Sequence, residues 1–357
     1  MSTATQSHRP LRGLHNTARR LAPCRPRFPV ETAPADAAKP PPGERPVMTD
    51  VSEETRVRLP EGVLEPYVRF SLYNSPYPAH DRGCAVDLYR DPGRGDDVAF
   101  SPVAGEILES HERRVPHREY AEATDHILLV AVDAAASGFE GDGGTDLVAR
   151  MLHVDPDVNA GDRVEVGDPL GRFVRSGFFA PWVDDHVHLG FRRADQHLLR
   201  AGGSLPLSVP VEPRPLEWDG TGTVVEVGET YVVLDAPRGN EGEWVGVAAD
   251  GGGVLDGGLA HYRGGGLLGS DVGDGDPAGG ERTVSLLGYE VGRASGRTVE
   301  WGSFDVLANG ERVTGLSLFC ARDAGFGAKV VAPGHAMKVG DRVEVAFRES
   351  EDPVRLG

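Results

Sequence analysis

The sequence predicts a mainly β protein, with a first β domain over residues 48–205 and a second, glycine-rich β domain over residues 219–357. Three observations carry this. From Tyr67 onward, short apolar runs alternate with Gly, Pro and Asp punctuation. Helical periodicity is almost absent, and two segments of the second half carry hairpin signals. A chain of 357 residues is long enough for two cores, so an internal boundary is expected.

Taken in order, residues 1–47 hold 9 of the 27 prolines, a single Phe28 and no Ile, Tyr or Trp. Such a segment cannot bury enough apolar surface to offset its ordering entropy, and a disordered Pro/Arg-rich tail is expected. Met48 opens a more ordinary acidic sequence and is an alternative start. Residues 85–89, 98–108, 127–132 and 147–154 read as strands. Residues 194–201 read as one or two helical turns ending at Gly202-Gly203. Pro206, Pro210, Pro213 and Pro215 make residues 206–218 a linker. Beyond it, residues 223–227 and 231–236 flank Gly228-Glu229-Thr230 as a hairpin, and residues 305–308 and 312–316 flank Asn309-Gly310, the strongest short hairpin signal in the chain. Residues 251–280 hold 13 glycines and are expected to be a long loop. Asp271, Asp274 and Asp276 within it lack the glutamate that a calcium-binding loop needs at its twelfth position, so a solvated loop is expected there.

Charge is unevenly spread. Residues 1–47 hold 8 Arg/Lys against 3 Asp/Glu, which leaves 29 against 52 for the remainder, a net of −23. Only Lys39, Lys329 and Lys338 are lysines. Dense carboxylates with so little lysine suit a protein of a salt-loving organism, a haloarchaeon for example. A nucleic-acid partner is not expected, because phosphate binding needs a basic stripe and none is visible outside the tail. Cys24, Cys84 and Cys320 are odd in number and widely spaced, which fits a reducing compartment rather than a disulfide framework. No apolar run reaches the roughly 18 residues needed to span a bilayer. Arg19-Arg20 is followed by Leu-Ala-Pro-Cys rather than an apolar stretch, so no membrane association and a cytoplasmic location are expected.

Three segments hold the residues that could do chemistry: His80-Asp-Arg-Gly-Cys84-Ala-Val-Asp87-Leu-Tyr, Arg150-Met-Leu-His153-Val and Asp185-His186-Val-His188-Leu-Gly-Phe. Two positions apart on a strand, His186 and His188 aim both imidazoles at one face, which suits one metal ligand and one acid/base neighbour. A hydrolytic zinc site takes three protein ligands from His and carboxylate and leaves a position for the water it activates. His80, Asp87 and His188 supply such a set.

The order and filling of these segments resemble the lysostaphin/LytM-type zinc metallopeptidases. The matching stretches are Ser101-Pro-Val-Ala-Gly-Glu-Ile, Leu152-His153-Val, Val158-Asn-Ala-Gly-Asp-Arg-Val-Glu-Val-Gly-Asp-Pro-Leu-Gly171 and His186-Val-His188-Leu-Gly-Phe191. The resemblance covers roughly residues 70–195 and is strongest from Leu152 to Phe191. It implies a barrel-sandwich or duplicated-hybrid-motif fold for the first domain and a Zn2+ ion held by His80, Asp87 and His188. For His153 and His186 it implies stabilising developing charge or shuttling protons. The implied substrate is a peptide or small amide. The family mostly cuts peptide cross-links of bacterial cell walls, which fits neither a haloarchaeal composition nor a cytoplasmic location.

One departure stands out. The family spaces its early ligands His-x-x-x-Asp, whereas six residues separate His80 from Asp87. On an unbroken strand an offset of seven puts them on opposite faces, so a turn or bulge is expected between them, with Gly83 as its place. Cys84 is the alternative donor as a thiolate, although such a cysteine more often serves as a small buried hydrophobe.

Competing readings leave fewer residues explained. The Gly-Asp-x-Val-x-x-Gly pattern also occurs in biotin or lipoyl carriers and in the glucose-specific enzyme IIA of the phosphotransferase system. A carrier displays its lysine on a hairpin, but Ala336-Met337-Lys338-Val339 runs straight into Gly340-Asp-Arg-Val without the half-domain that should separate them. A phosphocarrier has no use for Asp87. The remaining alternative is a non-catalytic binding or scaffolding module that kept the β fold and lost the metal. The second domain resembles nothing with an assignable chemistry.

Overall fold

The computed structural model describes residues 56–357 apart from 92, 94, 142–143, 270–280, 324 and 357, and these belong to one compact unit spanning Asp50–Gly357. The tail of residues 1–47 and the acidic trio Asp271, Asp274 and Asp276 lie outside the described residues. Among the described residues strands form nearly all the regular structure, joined by a short 3-10 turn at Glu61–Leu64. No described helix is long and apolar enough to cross a membrane.

The helical turns expected over residues 194–201 are absent, and the segment is a succession of irregular turns. Arg192 is almost fully buried beneath it, and its guanidinium donates to the carbonyl oxygens of His197, Arg200 and Gly202, which holds the segment in its irregular path.

A ten-stranded sheet positions the site. Its order is Arg214–Leu216, Val245–Val247, Cys320–Ala321, Arg69–Ser71, Ala85–Tyr89, Val187–Arg193, Leu147–Leu152, Thr124–Val132, Gly105–Arg114 and Arg163–Val164. Its first three strands come from beyond residue 213. Within residues 206–218, Leu207–Ser208 pairs with Val57–Arg58 and Arg214–Leu216 pairs with Val245–Val247. Two-residue alternation gives the sheet two different faces. Val86, Leu88, Leu128, Val130, Ala149, Met151, Val187, Leu189 and Phe191 point into the main core. Asp87, His188 and Arg150 fall on the intervening positions and so share the other face, where Ile127, Leu129 and Val148 make a small second cluster.

The second half builds a twelve-stranded sheet around a separate core that includes Val232, Leu255, Leu316 and Val330. Both expected hairpins are present. Thr221–Val227 pairs with Tyr231–Leu234, and Phe304–Ala308 pairs with Glu311–Val313 through Asn309 (φ 52°) and Gly310 (φ 81°), the two left-handed residues of a type I′ turn. The described part of residues 251–280, residues 251–269, departs from expectation: in place of a loop it supplies two paired strands inside the sheet, Val254–Leu259 and Gly264–Leu268. Here glycine is required by close packing. A Cβ on Gly265 would lie 2.0 Å from Trp301 Cζ2, and one on Gly266 would lie 2.1 Å from Tyr73 Cδ2.

Candidate metal centre

Strand register makes the first pair. Val187–Arg193 runs antiparallel to Ala85–Tyr89 with His188 directly opposite Asp87, and on its other side His188 faces Leu152. Directly opposed residues of an antiparallel pair point the same way, so the carboxylate and the imidazole meet without any special loop.

His80 arrives by a turn, at the place expected for one. His80 N–H donates to Tyr77 O (2.9 Å), Gly83 N–H to His80 O (3.2 Å) and Cys84 N–H to Ala79 O (2.8 Å), and the chain then enters the Ala85–Tyr89 strand. Gly83 has φ +60°, and a Cβ there would stand 2.9 Å from the Tyr73 hydroxyl, so this position suits glycine on both counts. The turn cancels the odd offset between His80 and Asp87.

Three donor atoms converge as a result. His80 Nε2 is 3.1 Å from His188 Nδ1 and 3.4 Å from Asp87 Oδ1, and His188 Nδ1 is 2.9 Å from Asp87 Oδ1. A tetrahedral zinc ion with bonds of about 2.0–2.2 Å holds its donors about 3.4 Å apart, so the set fits such an ion with shifts of a few tenths of an ångström. The tautomer of His80 is also fixed. Its Nδ1–H donates to Leu72 O at 2.7 Å, which leaves the Nε2 lone pair for the cluster. Cys84 is outside the set: its buried thiol lies 3.9 Å from its nearest partner, Arg82 O, and burial raises its pKa.

The electrostatics agree with the geometry. Burial alone would raise the Asp87 pKa, but the charges of His80 and His186 and the hydrogen bonds from His188 and His80 hold it well below the usual carboxylate range. Burial pushes His188 down to about 3, only partly offset by Asp87, so its imidazole is neutral at physiological pH. His186 is lowered as well, first by burial. His80 differs: burial lowers it, but the Asp87 charge and hydrogen bond more than reverse this and its pKa is raised. A carboxylate beside the neutral imidazole of His188, with His80 joining once it gives up its proton, is a donor set for a divalent ion.

The other two histidines flank the donors. His153 follows the strand Leu147–Leu152 in a left-handed conformation (φ 70°), uncommon outside glycine, and its ring is 5.1 Å from His186 and 5.9 Å from His188 between centroids. Asp125 holds that conformation. Its Oδ1 accepts the His153 backbone N–H at 3.0 Å, and its Oδ2 accepts the ring Nδ1–H at 2.6 Å. Although burial would raise it, the His153 charge and hydrogen bond bring Asp125 down to about 2. His186 Nδ1–H donates to Asp184 O at 2.8 Å, and its Nε2 lies 3.5 Å from Asp87 Oδ1. Phe179 stacks on the His186 ring at 4.4 Å, with Tyr89 against its other surroundings at 4.8 Å. Asp125, Leu72 O, Asp184 O and Phe179 are contact partners of these histidines that cannot be read from the sequence, because no local spacing ties them to the rings they hold.

No curated protein matches this chain. Among solved structures, one described as a novel M23 metalloprotease, pseudoalterin, from deep-sea is similar at 16% identity over 40% of this chain and 72% of that one, with a TM-score of 0.22, too low to carry over a fold or an activity. Residues 58–209 match the domain of unknown function DUF8155, N-terminal domain, and residues 214–348 match its C-terminal domain. With these two consecutive matches spanning most of its length, the chain belongs to the DUF8155 family.

Proposed function

We propose that the protein is a zinc-dependent amide hydrolase acting on a peptide or small amide, with His80, Asp87 and His188 as the metal ligands. The observation that carries this reading is the convergence of His80 Nε2, Asp87 Oδ1 and His188 Nδ1 within 4.8 Å of one another, all three residues buried. Zinc held there would polarise the amide carbonyl and acidify a water molecule. The rest of the work falls to the chain's own side chains.

His153 is built as a proton carrier. Asp125 fixes its Nδ1–H, so the Nε2 lone pair is the free end, and the carboxylate stabilises the imidazolium once a proton is taken. His186 is oriented the same way by the Asp184 carbonyl, with Nε2 turned toward Asp87 and the donor cluster. Kept neutral by burial and with its proton on Nδ1, it can accept a hydrogen bond at Nε2 from the attacking water, and once protonated there it can donate to an oxygen that gains charge during attack. The stacked Phe179 and nearby Tyr89 exclude water and hold that ring, which strengthens each polar contact inside. Elemental analysis of purified protein tests the reading: about one zinc per chain is expected. Absence of metal after refolding with zinc at high salt would overturn it and leave a β binding module.

A further inference from the structure

On the face of the sheet that carries the donors, Arg150 lies two residue pairs along from His188, opposite Gly190 on one side and Leu129 on the other. The residue is only 7% exposed, and its Nε is enclosed with no acceptor. Among the described residues the guanidinium has neither a hydrogen-bond nor an ion-pair partner. Its surroundings are adverse: burial first, then the charges of Arg192 and Arg113, push its pKa down to about 10, with Asp125 the opposing charge. It is still cationic at neutral pH.

Other buried arginines of this protein have partners for part of the guanidinium, although the Nε of Arg90 and of Arg192 is also enclosed without an acceptor. Arg192 donates to three backbone carbonyls, and Arg90 to Asp96 and the Val98 carbonyl. A chain with 55 Asp and Glu against 37 Lys and Arg has carboxylates to spare, yet none is placed on Arg150. A buried cation without a partner is strongly unfavourable, and it calls for a group the polypeptide does not itself supply. Ile127, Leu129 and Val148, with half-buried Leu152, Leu198 and Leu199, form an apolar surround on the same face. In that low-dielectric setting an incoming anion pairs strongly with the guanidinium.

We propose that Arg150, with Arg113 beside it, is an anion subsite that receives a carboxylate of the substrate close to the scissile amide. The link to hydrolysis rests on the metal-centre reading; the anion site does not. Substrates would then be peptide-like amides with a free carboxylate within a residue or two of the bond cut.

Acetate is the first probe. In the full chain labelled with 15N, the Arg150 Nε–Hε signal, assigned by its loss in Arg150→Lys, is followed through an acetate titration at constant ionic strength. A saturable shift with a midpoint on the order of millimolar is expected. A small linear drift shared by all arginine signals would mean screening only and would overturn the proposal. With zinc-loaded protein, one peptide is then compared as its free C-terminal acid and as its C-terminal amide. The acid is expected to show a KM about tenfold lower, a preference that Arg150→Gln abolishes. Saturable acetate binding with no preference between the two peptides would mean an adventitious ion only and would also overturn the substrate role. Saturable binding in protein that takes up no zinc would instead leave the anion site standing and remove the hydrolase reading.

Discussion

Adding zinc to metal-free protein should raise its stability and release protons, and the site sets the size of both effects. A ligand present at 100 times its dissociation constant stabilises the folded state by about 2.7 kcal/mol. For a folded unit larger than about 250 residues, each kcal/mol moves the melting temperature by roughly 2 °C, so a rise of about 5 °C is expected. Protons come from His80. Its pKa is raised by Asp87, which favours a proton on Nε2 in metal-free protein, and that proton must be given up for the ion. His188, pushed down to about 3, has none to release. Zinc uptake should therefore liberate protons near pH 6.5 and fewer as pH rises, with affinity falling as pH drops. Calorimetric titration in two buffers of different ionisation enthalpy counts the protons, and elemental analysis counts the metal. Asp87→Asn and His188→Ala should lose both the uptake and the thermal shift, since each removes a donor atom. Zinc bound by Asp87→Asn as tightly as by wild type, or bound with no proton released at pH 6, would refute the assigned ligand set.

Other consequences can be checked separately. His153→Ala, His186→Ala and Asp125→Asn should keep their zinc but lower hydrolysis about 10²–10⁴-fold, measured on the zinc-loaded variants; loss of metal instead would make these residues ligands. Asp256 is fully buried, and burial raises its pKa to about 7 despite hydrogen bonds from Ser71 and the Leu72 and Tyr73 amides. A carboxyl raised in this way stabilises the fold while protonated. Its contribution is complete below about pH 3.8 and lost as pH climbs toward 7, so Asp256→Asn should flatten the urea midpoint over that window. Gly265→Ala places a methyl 2.0 Å from Trp301 and should cost about 1–3 kcal/mol or more by urea unfolding; a neutral effect would contradict the close packing of that strand. With a formal net charge of −18, the protein should melt higher as salt rises from roughly 0.1 M, where charges are screened over about 10 Å, to molar levels.

The β character, the two hairpins and the turn at Gly83 could be read from the chain because each is local. Asn309-Gly310 satisfies its own φ requirement whatever surrounds it, and a strand that buries one face must alternate. The pairing of His186 and His188 followed from the same two-residue period. The glycine-rich strands were missed because glycine weakens a strand by itself, and only Trp301 and Tyr73, distant in sequence, turn its missing side chain into a requirement. The irregular path of residues 194–201 has a nearer partner, the buried Arg192 just before it, whose burial depends on the sheet and not on its own sequence position.

At the site, the sequence by itself determined the residue types: two imidazoles and a carboxylate able to share an ion, with two further histidines in fixed order. Only the tertiary structure decided which of them meet. His188 faces Asp87 because two strands about a hundred residues apart in the chain pair in one register, and a slip of one residue would turn the imidazole into the core. Asp125 reaches His153, and Arg150 is left without a partner, through the same sheet pairing. Period and turn chemistry act over a few residues and are written in the chain, whereas register and the identity of a buried group's neighbour depend on contacts closed across the whole sheet.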